Sequence, residues 1–444
     1  MVSLGYQTMM PIQEQALPHI LAGKDIIAQA QTGSGKTITF GLGLLEKLNI
    51  KQFQVQALVL CPTRELANQV AQEIRKIARS IQNIKVITLC GGMPFGLQAQ
   101  SLEKGVHIVV GTPGRINDHL IRQTLTLDAV NMLVLDEADC MLDMGFHDIL
   151  EIIIEQTPKQ RQTLLFSATF PEKIKDIAHN VMIKPITIQV ESALDNSDIV
   201  QYFYQTDDRK RSIALQLLIL HYQPQSALIF CNTKQDVKDM TQTLMHQGFS
   251  AQALHGDLEQ YERDQTLIQF TNKSIAILVA TDVAARGLDI DGVDLVINYQ
   301  LARNADVHTH RIGRTGRAGN QGTACSLYDE REQGKIKQLE EAATLYKKDL
   351  PSSELLNQPS IQASMATLQI FAGKKQKIRA GDILGALTQN NTLAGNDVGK
   401  IIIANNWSYV AVHSQVAKIA LKKLNEGKLK GRSFRVVLLH PINP

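Results

Sequence analysis

The sequence has no apolar run that approaches the roughly 20 residues needed for a membrane-spanning helix. It also has no positively charged and then apolar leader ending in a small-residue cleavage site. Its five cysteines are scattered without a paired spacing, which argues against a zinc site, a metal cluster and a disulfide framework. We therefore expect no membrane association, a cytoplasmic location and reduced cysteines that pack as small apolar residues. These cysteines are Cys61, Cys90, Cys140, Cys231 and Cys325.

The net charge of +3 is small, but it is unevenly distributed along the 444 residues. From Ile361 to Pro444 there are twelve Lys or Arg residues against three Asp or Glu residues, whereas the remainder has 34 basic and 40 acidic residues. A compact basic tail on a mildly acidic body predicts a polyanion-binding module attached to another unit. A solvated charged face that only keeps the protein in solution is the alternative.

Short runs rich in Val, Ile and Leu recur along the chain, and each ends in a polar or glycine-containing cluster before a helix-like stretch. Continuous apolar runs of this kind predict strands that are buried on both faces of a parallel sheet covered by helices. The runs fall into two blocks, which predicts a doubled α/β architecture with ligands at the carboxyl ends of the strands. The first block has runs at 26–28, 57–61, 86–90, 107–110, 132–135, 164–166 and 186–190, and the second at 202–204, 227–231, 251–254, 276–280, 295–299 and 324–328.

Two polar breaks divide the chain into three predicted domains, 1–193, 199–348 and 364–444. The first break, Glu191 to Asp198, is short and polar like a linker, and prolines and serines mark the second at Asp349 to Gln362. The last domain has the order β-α-β-β-α-β, which matches the topology of an RNA-recognition motif. Its predicted elements are strand 367–371, helix 380–389, strands 400–403 and 409–412, helix 415–426 and strand 434–439.

The segment after the first predicted strand has the spacing of a phosphate-binding Walker A loop, Ala30-Gln31-Thr32-Gly33-Ser34-Gly35-Lys36-Thr37. In such a loop, backbone N–H groups surround phosphates at a helix N-terminus, the lysine reaches the β- and γ-phosphates and the hydroxyl binds magnesium. A glycine-rich turn without a ligand is the alternative, which the complete pattern disfavours. The predicted nucleotide ligands are Gly33, Ser34, Gly35, Lys36 and Thr37, with Thr37 also binding the metal.

The fifth predicted strand of the first block ends in Asp136-Glu137-Ala138-Asp139. A carboxylate at the end of an apolar strand can hold magnesium, and its neighbour can orient or deprotonate the attacking water. We assign Asp136 to the metal and Glu137 to the water. Acidic residues also occur at helix N-termini as simple dipole partners, which is the weaker alternative at this distance from the Walker loop.

The second block contains His310-Arg311-Ile312-Gly313-Arg314-Thr315-Gly316-Arg317, with three arginines in eight residues. Phosphoryl transfer needs cations aimed at the charge that develops on the γ-phosphate. Arg314 and Arg317 are the candidates, and because they belong to the other domain, the ATP site would be completed only when the domains close. A contact with RNA phosphates is the competing interpretation.

Taken in order, these motifs resemble those of the DEAD-box RNA helicases, from the N-terminus to Arg317. The resemblance implies two RecA-like domains, ATP and Mg²⁺ as cofactors, and RNA gripped through its backbone without sequence specificity. It also implies that Gln13 recognises adenine and that Asp289 contacts the ribose. Residues implied to couple hydrolysis to unwinding are Ser167, Thr169 and His310. Residues implied to contact RNA are Thr63, Arg64, Gly92, Thr112, Arg115, Arg263, Thr281 and Arg286.

The tail is similar to that of the bacterial DbpA subfamily, in 381–387, 397–401 and 427–432. This resemblance implies a target in 23S ribosomal RNA and a role in assembly of the large subunit. We expect the protein to act as a monomer. Gln369 stands where the first strand of an RNA-recognition motif usually offers an aromatic, so we expect a basic surface to bind RNA. Tyr409 is a stacking candidate, with a core residue as the alternative. The basic candidates are Lys374, Lys375, Lys377, Arg379, Lys428, Lys430 and Arg432.

Met10 departs from the family pattern, which has a threonine before the proline of the glutamine motif. Two other functions are consistent with parts of the sequence: an RNA-binding scaffold that no longer turns over ATP, and a DNA helicase on the same core. The intact Lys36, Asp136 and Glu137 disfavour the first, and the RNA-recognition-motif topology of the tail disfavours the second.

Overall fold

The computed structural model describes residues 8–30, 34–167, 169, 172–190, 199–286, 288, 290, 292–316, 321–340, 344–389 and 393–441. The chain divides into two compact units, residues 1–193 with 286–289 and residues 194–285 with 290–444. Within the described ranges, every helix is too short or too polar to cross a bilayer. All five cysteines are buried, as expected of thiols that pack as small apolar residues.

The first unit is built on a seven-stranded parallel sheet with the strand order β3-β4-β2-β5-β6-β1-β7. Successive residues of a strand face opposite sides, and here both sides are covered. Val59 packs in one apolar cluster, while its neighbours Leu58 and Leu60 pack in the other. The strands are β1 Ile26–Gln29, β2 Ala57–Leu60, β3 Val86–Leu89, β4 Ile108–Gly111, β5 Met132–Asp136, β6 Gln162–Ser167 and β7 Ile186–Gln189.

The helices of this unit cover both faces of the sheet through apolar stripes at helical spacing. In α3, for example, the buried residues Leu66, Val70 and Ile74 recur every fourth position, and the Thr63 hydroxyl caps the helix by accepting from Leu66 N at 3.3 Å. The helices are α1 Pro11–Leu21, α2 Lys36–Lys47, α3 Arg64–Ile77, α4 Phe95–Glu103, α5 Pro113–Ile121, α6 Ala138–Asp143, α7 His147–Glu155 and α8 Glu172–Val181.

The second unit contains a similar seven-stranded parallel sheet, ordered β10-β11-β9-β12-β13-β8-β14. Every apolar run predicted as a strand in either block forms one, whereas β14 at the sheet edge was not predicted because all three of its side chains are exposed. The strands are β8 Ile199–Gln205, β9 Ala227–Cys231, β10 Ala251–Leu254, β11 Ile277–Thr281, β12 Leu295–Asn298, β13 Gly322–Tyr328 and β14 Tyr346–Lys348. The helices are α9 Arg211–Tyr222, α10 Lys234–His246, α11 Gln260–Thr271, α12 Asp282–Ala285, α13 Ala305–Ile312 and α14 Gln333–Glu340.

The tail, within the second unit, forms a four-stranded antiparallel sheet ordered β16-β17-β15-β18. The predicted β-α-β-β-α-β order is present, with ends that differ from the predicted ones by a few residues. The prediction of two tandem parallel-sheet domains followed by a small α+β domain is therefore confirmed. The elements are β15 Met365–Ile370, α15 Ala380–Thr388, β16 Val398–Ile403, β17 Ser408–His413, α16 Ala417–Glu426 and β18 Val436–Leu438.

The two faces of β15 have different neighbours. Leu368 and Ile370 point into the apolar core of the tail domain, whereas the alternate residues Thr367 and Gln369 face α11 and the turn after it. Asn272 Nδ2 and Ser274 Oγ lie 3.1 Å and 2.5 Å from Thr367 Oγ1. Gln265 Nε2 donates to Gln369 Oε1 at 3.4 Å, and both residues are buried. The sheet face that an RNA-recognition motif usually offers to bases is thus covered by α11.

Candidate ATP and RNA sites

The phosphate-binding loop ends where α2 begins, at Lys36. Gly35 has a φ of +89°, and a Cβ at this position would lie 2.6 Å from Gln13 Nε2 and 2.9 Å from Met10 Sδ. Only glycine fits both the backbone conformation and this close approach. The predicted ligand Gly33 lies outside the described residues.

Gln13 is held beside this loop by the start of α1. The backbone N–H of Met10 donates to Gln13 Oε1 at 2.9 Å, and Gln13 Nε2 is the atom that faces Gly35. Because this contact uses the backbone of Met10, replacement of the usual threonine does not remove it. Gln13 is 7% exposed, and its contact with Gly35 places it beside the nucleotide loop. Its recognition of adenine stays a prediction.

Asp136 is the last residue of β5 and is buried. Burial raises the pKa of its carboxyl to about 6, although the positive charge of Lys36 opposes this rise. Asp136 Oδ1 has no hydrogen-bond partner among the residues that the structure describes. A buried carboxylate oxygen without a donor suits a hard cation, because Mg²⁺ prefers oxygen ligands and is commonly held by one or two carboxylates and phosphates. Asp136 therefore has the character expected of a metal ligand, and the metal-binding roles of Asp136 and Thr37 stay predictions.

Glu137 connects β5 to α6 in a left-handed backbone conformation, with a φ of +51°. A non-glycine residue in this conformation costs about 1–3 kcal/mol, and such strain is concentrated at functional sites. The side chain is 7% exposed and follows the metal candidate directly. This turn places the second carboxylate at the carboxyl end of the sheet, where ligands of parallel sheets bind.

Asp139 joins the acidic segment to the residues after β6. Its Oδ2 accepts from both the backbone N–H and the hydroxyl of Thr169 at 3.0 Å. The hydroxyl of Ser167 donates to the Thr169 carbonyl at 2.7 Å. The backbone N–H of Asp139 also donates to the Ser167 hydroxyl at 3.4 Å, so the segment that carries Glu137 is hydrogen-bonded to two of the predicted coupling residues, whose coupling role stays a prediction.

The first unit brings its predicted RNA-contacting residues to one edge of the sheet. Thr63, Gly92 and Thr112 follow β2, β3 and β4, which are neighbours in the sheet. Arg64 lies against the turn after β3, since a Cβ at Gly91 would be 2.7 Å from Arg64 Nη2. The sheet topology therefore gathers motifs that are separated by about 20–30 residues in the sequence.

Arg115 belongs to the same edge and is held firmly. Its Nη1 donates to the Met93 carbonyl at 3.0 Å and to Gln98 Oε1 at 2.8 Å. Its Nε lies 3.5 Å from Asp118 Oδ2. Gln98 was not among the predicted site residues, and no motif in the sequence pointed to it.

Of the site residues predicted in the second block of the sequence, the structure describes Arg263, Thr281, Arg286, His310 and Arg314, and Arg286 belongs to the first compact unit. Arg263 lies on α11, Thr281 ends β11 and Arg286 follows α12 directly. Arg314 lies in the turn after α13. Arg317 and Asp289 lie outside the described residues, and the roles of all of these residues stay predictions.

Arg311 lies in the arginine-rich segment 310–317, and no role was predicted for it. It is 1% exposed, and its Nε and Nη2 donate to the two carboxylate oxygens of Asp282 at 2.6 Å and 2.8 Å. It also donates to Asn232 Oδ1 at 2.8 Å and to the Gln300 carbonyl at 2.7 Å. Asn232 follows β9 and Asp282 begins α12, so Arg311 connects three segments that are distant in sequence. The sequence did contain a signal for this residue, since Arg311 is a third arginine in the segment that holds Arg314 and Arg317.

The basic candidates of the tail lie on two segments, one before α15 and one after α16. Lys430 connects these segments, because its Nζ donates to the Lys377 carbonyl and lies 3.3 Å from Asp382 Oδ2. The side chains that are exposed on this basic surface are Lys374, Lys375, Lys377, Arg379, Lys428, Lys430 and Arg432.

Tyr409 does not belong to this surface. It is paired with Gln369 in the sheet, is 1% exposed and lies on the face covered by α11. Burial raises the pKa of its hydroxyl above the usual value. The prediction that Tyr409 stacks on RNA bases is therefore wrong for this arrangement, and the core alternative fits. Trp407 contacts Tyr261 of α11 edge to face, with ring centroids 6.3 Å apart.

Comparison with known proteins agrees with this geometry. Residues 10–177 match the DEAD/DEAH box helicase family, residues 209–319 the helicase conserved C-terminal domain and residues 367–438 the DbpA RNA binding domain. The chain is 51% identical over 436 residues to the ATP-dependent RNA helicase DbpA of Escherichia coli strain K12, covering 98% of this chain and 95% of that protein.

More distant relatives share the core without the whole length. The DEAD-box ATP-dependent RNA helicase CshA of Bacillus cereus is 44% identical over 76% of this chain and 64% of its own. A structure of S. cerevisiae Dbp5 bound to RNA and ADP BeF3 is similar with a TM-score of 0.71 and 29% identity, covering 80% of this chain and 94% of that one. The chain therefore belongs to the DEAD-box ATP-dependent RNA helicases of the DbpA type, and it is an RNA-dependent ATPase with an RNA-binding C-terminal domain.

Proposed function

We propose that this helicase remodels short helices of 23S ribosomal RNA during assembly of the large ribosomal subunit, as a monomer in the cytoplasm. The carrying observation is the basic surface of the tail, whose two segments meet at Lys430 and Lys377. The sheet of the tail does not offer a face for stacking single-stranded bases, because α11 covers that face. A surface of this kind suits the phosphates of a structured RNA.

In the ATPase site, we assign the phosphates to Lys36 and the loop at Gly35, and adenine to Gln13. Bound Mg²⁺ would be held by Thr37 and Asp136 and would neutralise charge on the β- and γ-phosphates. Glu137 would orient the attacking water and accept its proton. The observation that supports this assignment is that a buried oxygen of Asp136, which has no hydrogen-bond partner in the described part of the chain, is followed by a second carboxylate on a strained turn.

Exchange of two exposed tail cations is expected to remove the preference for ribosomal RNA. In the double variant Lys428→Gln/Arg432→Gln, the 23S RNA concentration that half-saturates ATPase stimulation should rise about tenfold, or about 1.4 kcal/mol. Stimulation by an unrelated RNA of equal length should be unchanged, because the core grips any backbone. The slope of log affinity against log salt for 23S RNA should fall by about 1 for each lost phosphate contact.

The matched control is Lys418→Gln/Lys422→Gln, which removes two exposed charges from α16 outside the basic surface. It should leave both RNAs unaffected. Point variants are preferable to deletion of the tail, because deletion would remove the partners of Gln265 on α11 and of Asn272 in the turn after it. An equal loss of affinity for both RNAs, or an equal effect of the control, would contradict target selection by this surface. A single DNA strand in the same assay tests the alternative substrate.

A further inference from the structure

Gln98 on α4 is a buried polar residue whose side-chain nitrogen and oxygen are both hydrogen-bonded. It is 6% exposed. Its Nε2 donates to the Cys90 carbonyl at 2.9 Å, and its Oε1 accepts from Arg115 Nη1 at 2.8 Å. The same oxygen lies 3.1 Å from His119 Nε2. Since a carbonyl needs a donor and a guanidinium needs an acceptor, these partners fix the orientation of the amide.

The partners of Gln98 belong to two segments that are distant in sequence. Cys90 immediately precedes the turn at Gly91 and Gly92, and Arg115 lies in the first turn of α5. Arg115 itself donates to the Met93 carbonyl, on the other side of that turn. Gln98 and Arg115 thus hold the glycine turn from both of its ends.

The surroundings make this arrangement rigid. His119 is fully buried, its Nδ1 lies 2.7 Å from the Thr124 hydroxyl, and its ring stacks on Phe95 with centroids 4.1 Å apart. Burial and the nearby charge of Arg115 lower the pKa of His119 to about 4, so it is neutral near pH 7. A neutral ring can donate through Nε2 to Gln98 without adding a second cation beside Arg115.

We propose that Gln98 is a positioning residue for RNA binding, which aims Arg115 and the backbone of the glycine turn at consecutive phosphates of one strand. This inference rests on the proposed RNA contacts of Arg115 and Gly92. An arginine that is pre-oriented by two acceptors loses little freedom when it binds a phosphate, whereas an untethered one must be ordered at that moment. Gln98 itself does not contact RNA and acts through its neighbours.

A buried glutamine can also serve stability alone, and the chain offers a matched control for that alternative. Gln56 is 2% exposed in the same unit and is equally engaged. Its Nε2 donates to the carbonyls of Asn49 and Gln52 at 2.8 Å, and its Oε1 accepts from Asn49 N at 2.8 Å. It precedes β2, at the sheet edge opposite the one that carries the predicted RNA-contacting residues.

The test compares Gln98→Leu and Gln56→Leu in the full-length protein, using unstructured single-stranded RNA. We expect Gln98→Leu to raise the RNA concentration for half-maximal ATPase stimulation about fivefold, within the range of couplings between contacting residues. The kcat at saturating RNA and the KM for ATP should not change. Both variants should lower the melting temperature to a similar extent. Gln56→Leu should nevertheless leave the RNA concentration for half-maximal stimulation unchanged. If Gln98→Leu folds poorly, Gln98→Asn takes its place, because it keeps a buried amide but cannot span both partners. It should show the same loss of RNA affinity.

A double-mutant cycle with Arg115→Gln separates the inference from the proposed function. Arg115→Gln should weaken RNA binding and lower the salt slope by about 0.7, the value for one phosphate of a single strand. Adding Gln98→Leu to it should change RNA binding less than about twofold, because the residue to be positioned is gone. If the two substitutions multiply each other's effect on RNA affinity, the positioning role of Gln98 is overturned. An equal rise in the half-maximal RNA concentration for Gln56→Leu would overturn it as well. Neither result would contradict the RNA contact of Arg115. A normal salt slope in Arg115→Gln would overturn the proposed contact itself, and the positioning role with it.

Discussion

Replacement of Glu137 by glutamine is expected to lower kcat for RNA-stimulated ATP hydrolysis by about 10²–10⁴-fold, the usual contribution of a general base. The amide has the same shape and tolerates the same backbone, so the turn at φ +51° and the neighbouring site should be preserved. It cannot accept the proton of the attacking water. Binding of ATP and of RNA should therefore persist, because Lys36, Thr37 and Asp136 are unchanged.

The measurement combines steady-state ATPase rates with equilibrium binding of a fluorescent ATP analogue and of labelled single-stranded RNA. Glu151→Gln on α7 is the matched control, since it makes the same chemical change at a half-exposed carboxylate, and it should leave kcat unchanged. Near-normal hydrolysis in Glu137→Gln would reject the assignment of the base. Loss of nucleotide binding together with turnover would instead indicate that Glu137 helps to hold the nucleotide.

Sequence patterns predicted the parallel sheets well because their strands are buried on both faces. Runs such as 57–61 and 227–231 have no polar residue on either side of the strand, and this signal survives without knowledge of the neighbouring strands. The phosphate-binding loop could also be predicted from the sequence. Its residues, such as Gly35 and Lys36, are adjacent in the chain, so their spacing alone reveals the local backbone geometry. The strand β14 escaped prediction because its side chains are all exposed.

The docking of the tail could not be predicted from the same patterns. In β15 the polar residues Thr367 and Gln369 alternate with apolar ones, which indicates one face in the core and one in water or on a ligand. The structure pairs this polar face with polar groups of α11 and of the turn after it, including Gln265 and Asn272. Alternation reveals that a face is polar, but not whether its partner is solvent, RNA or another part of the chain. The stacking prediction for Tyr409 failed for this reason.

Replacement of Arg311 by methionine is expected to destabilise the second unit by about 3–5 kcal/mol, the usual cost of leaving one member of a buried ion pair unpaired. Methionine fills much of the same volume, but it leaves the Asp282 carboxylate and Asn232 Oδ1 without their shared donor. The expected loss exceeds that of an ordinary surface substitution because Arg311 is 1% exposed and bridges three segments.

Trp407 gives the measurement, since it is the single tryptophan and contacts Tyr261 within the same unit, so its fluorescence should follow urea unfolding of that unit. Arg331→Met is the matched control, because this arginine also contacts two carboxylates but its side chain is 76% exposed, and exposed pairs of this kind contribute little to stability. The double variant Arg311→Met/Asp282→Asn should recover part of the lost stability, since it removes the stranded charge. A midpoint for Arg311→Met equal to that of Arg331→Met would mean that the buried network stabilises little. The role of this network would then have to be sought in catalysis, through a lower kcat at unchanged stability.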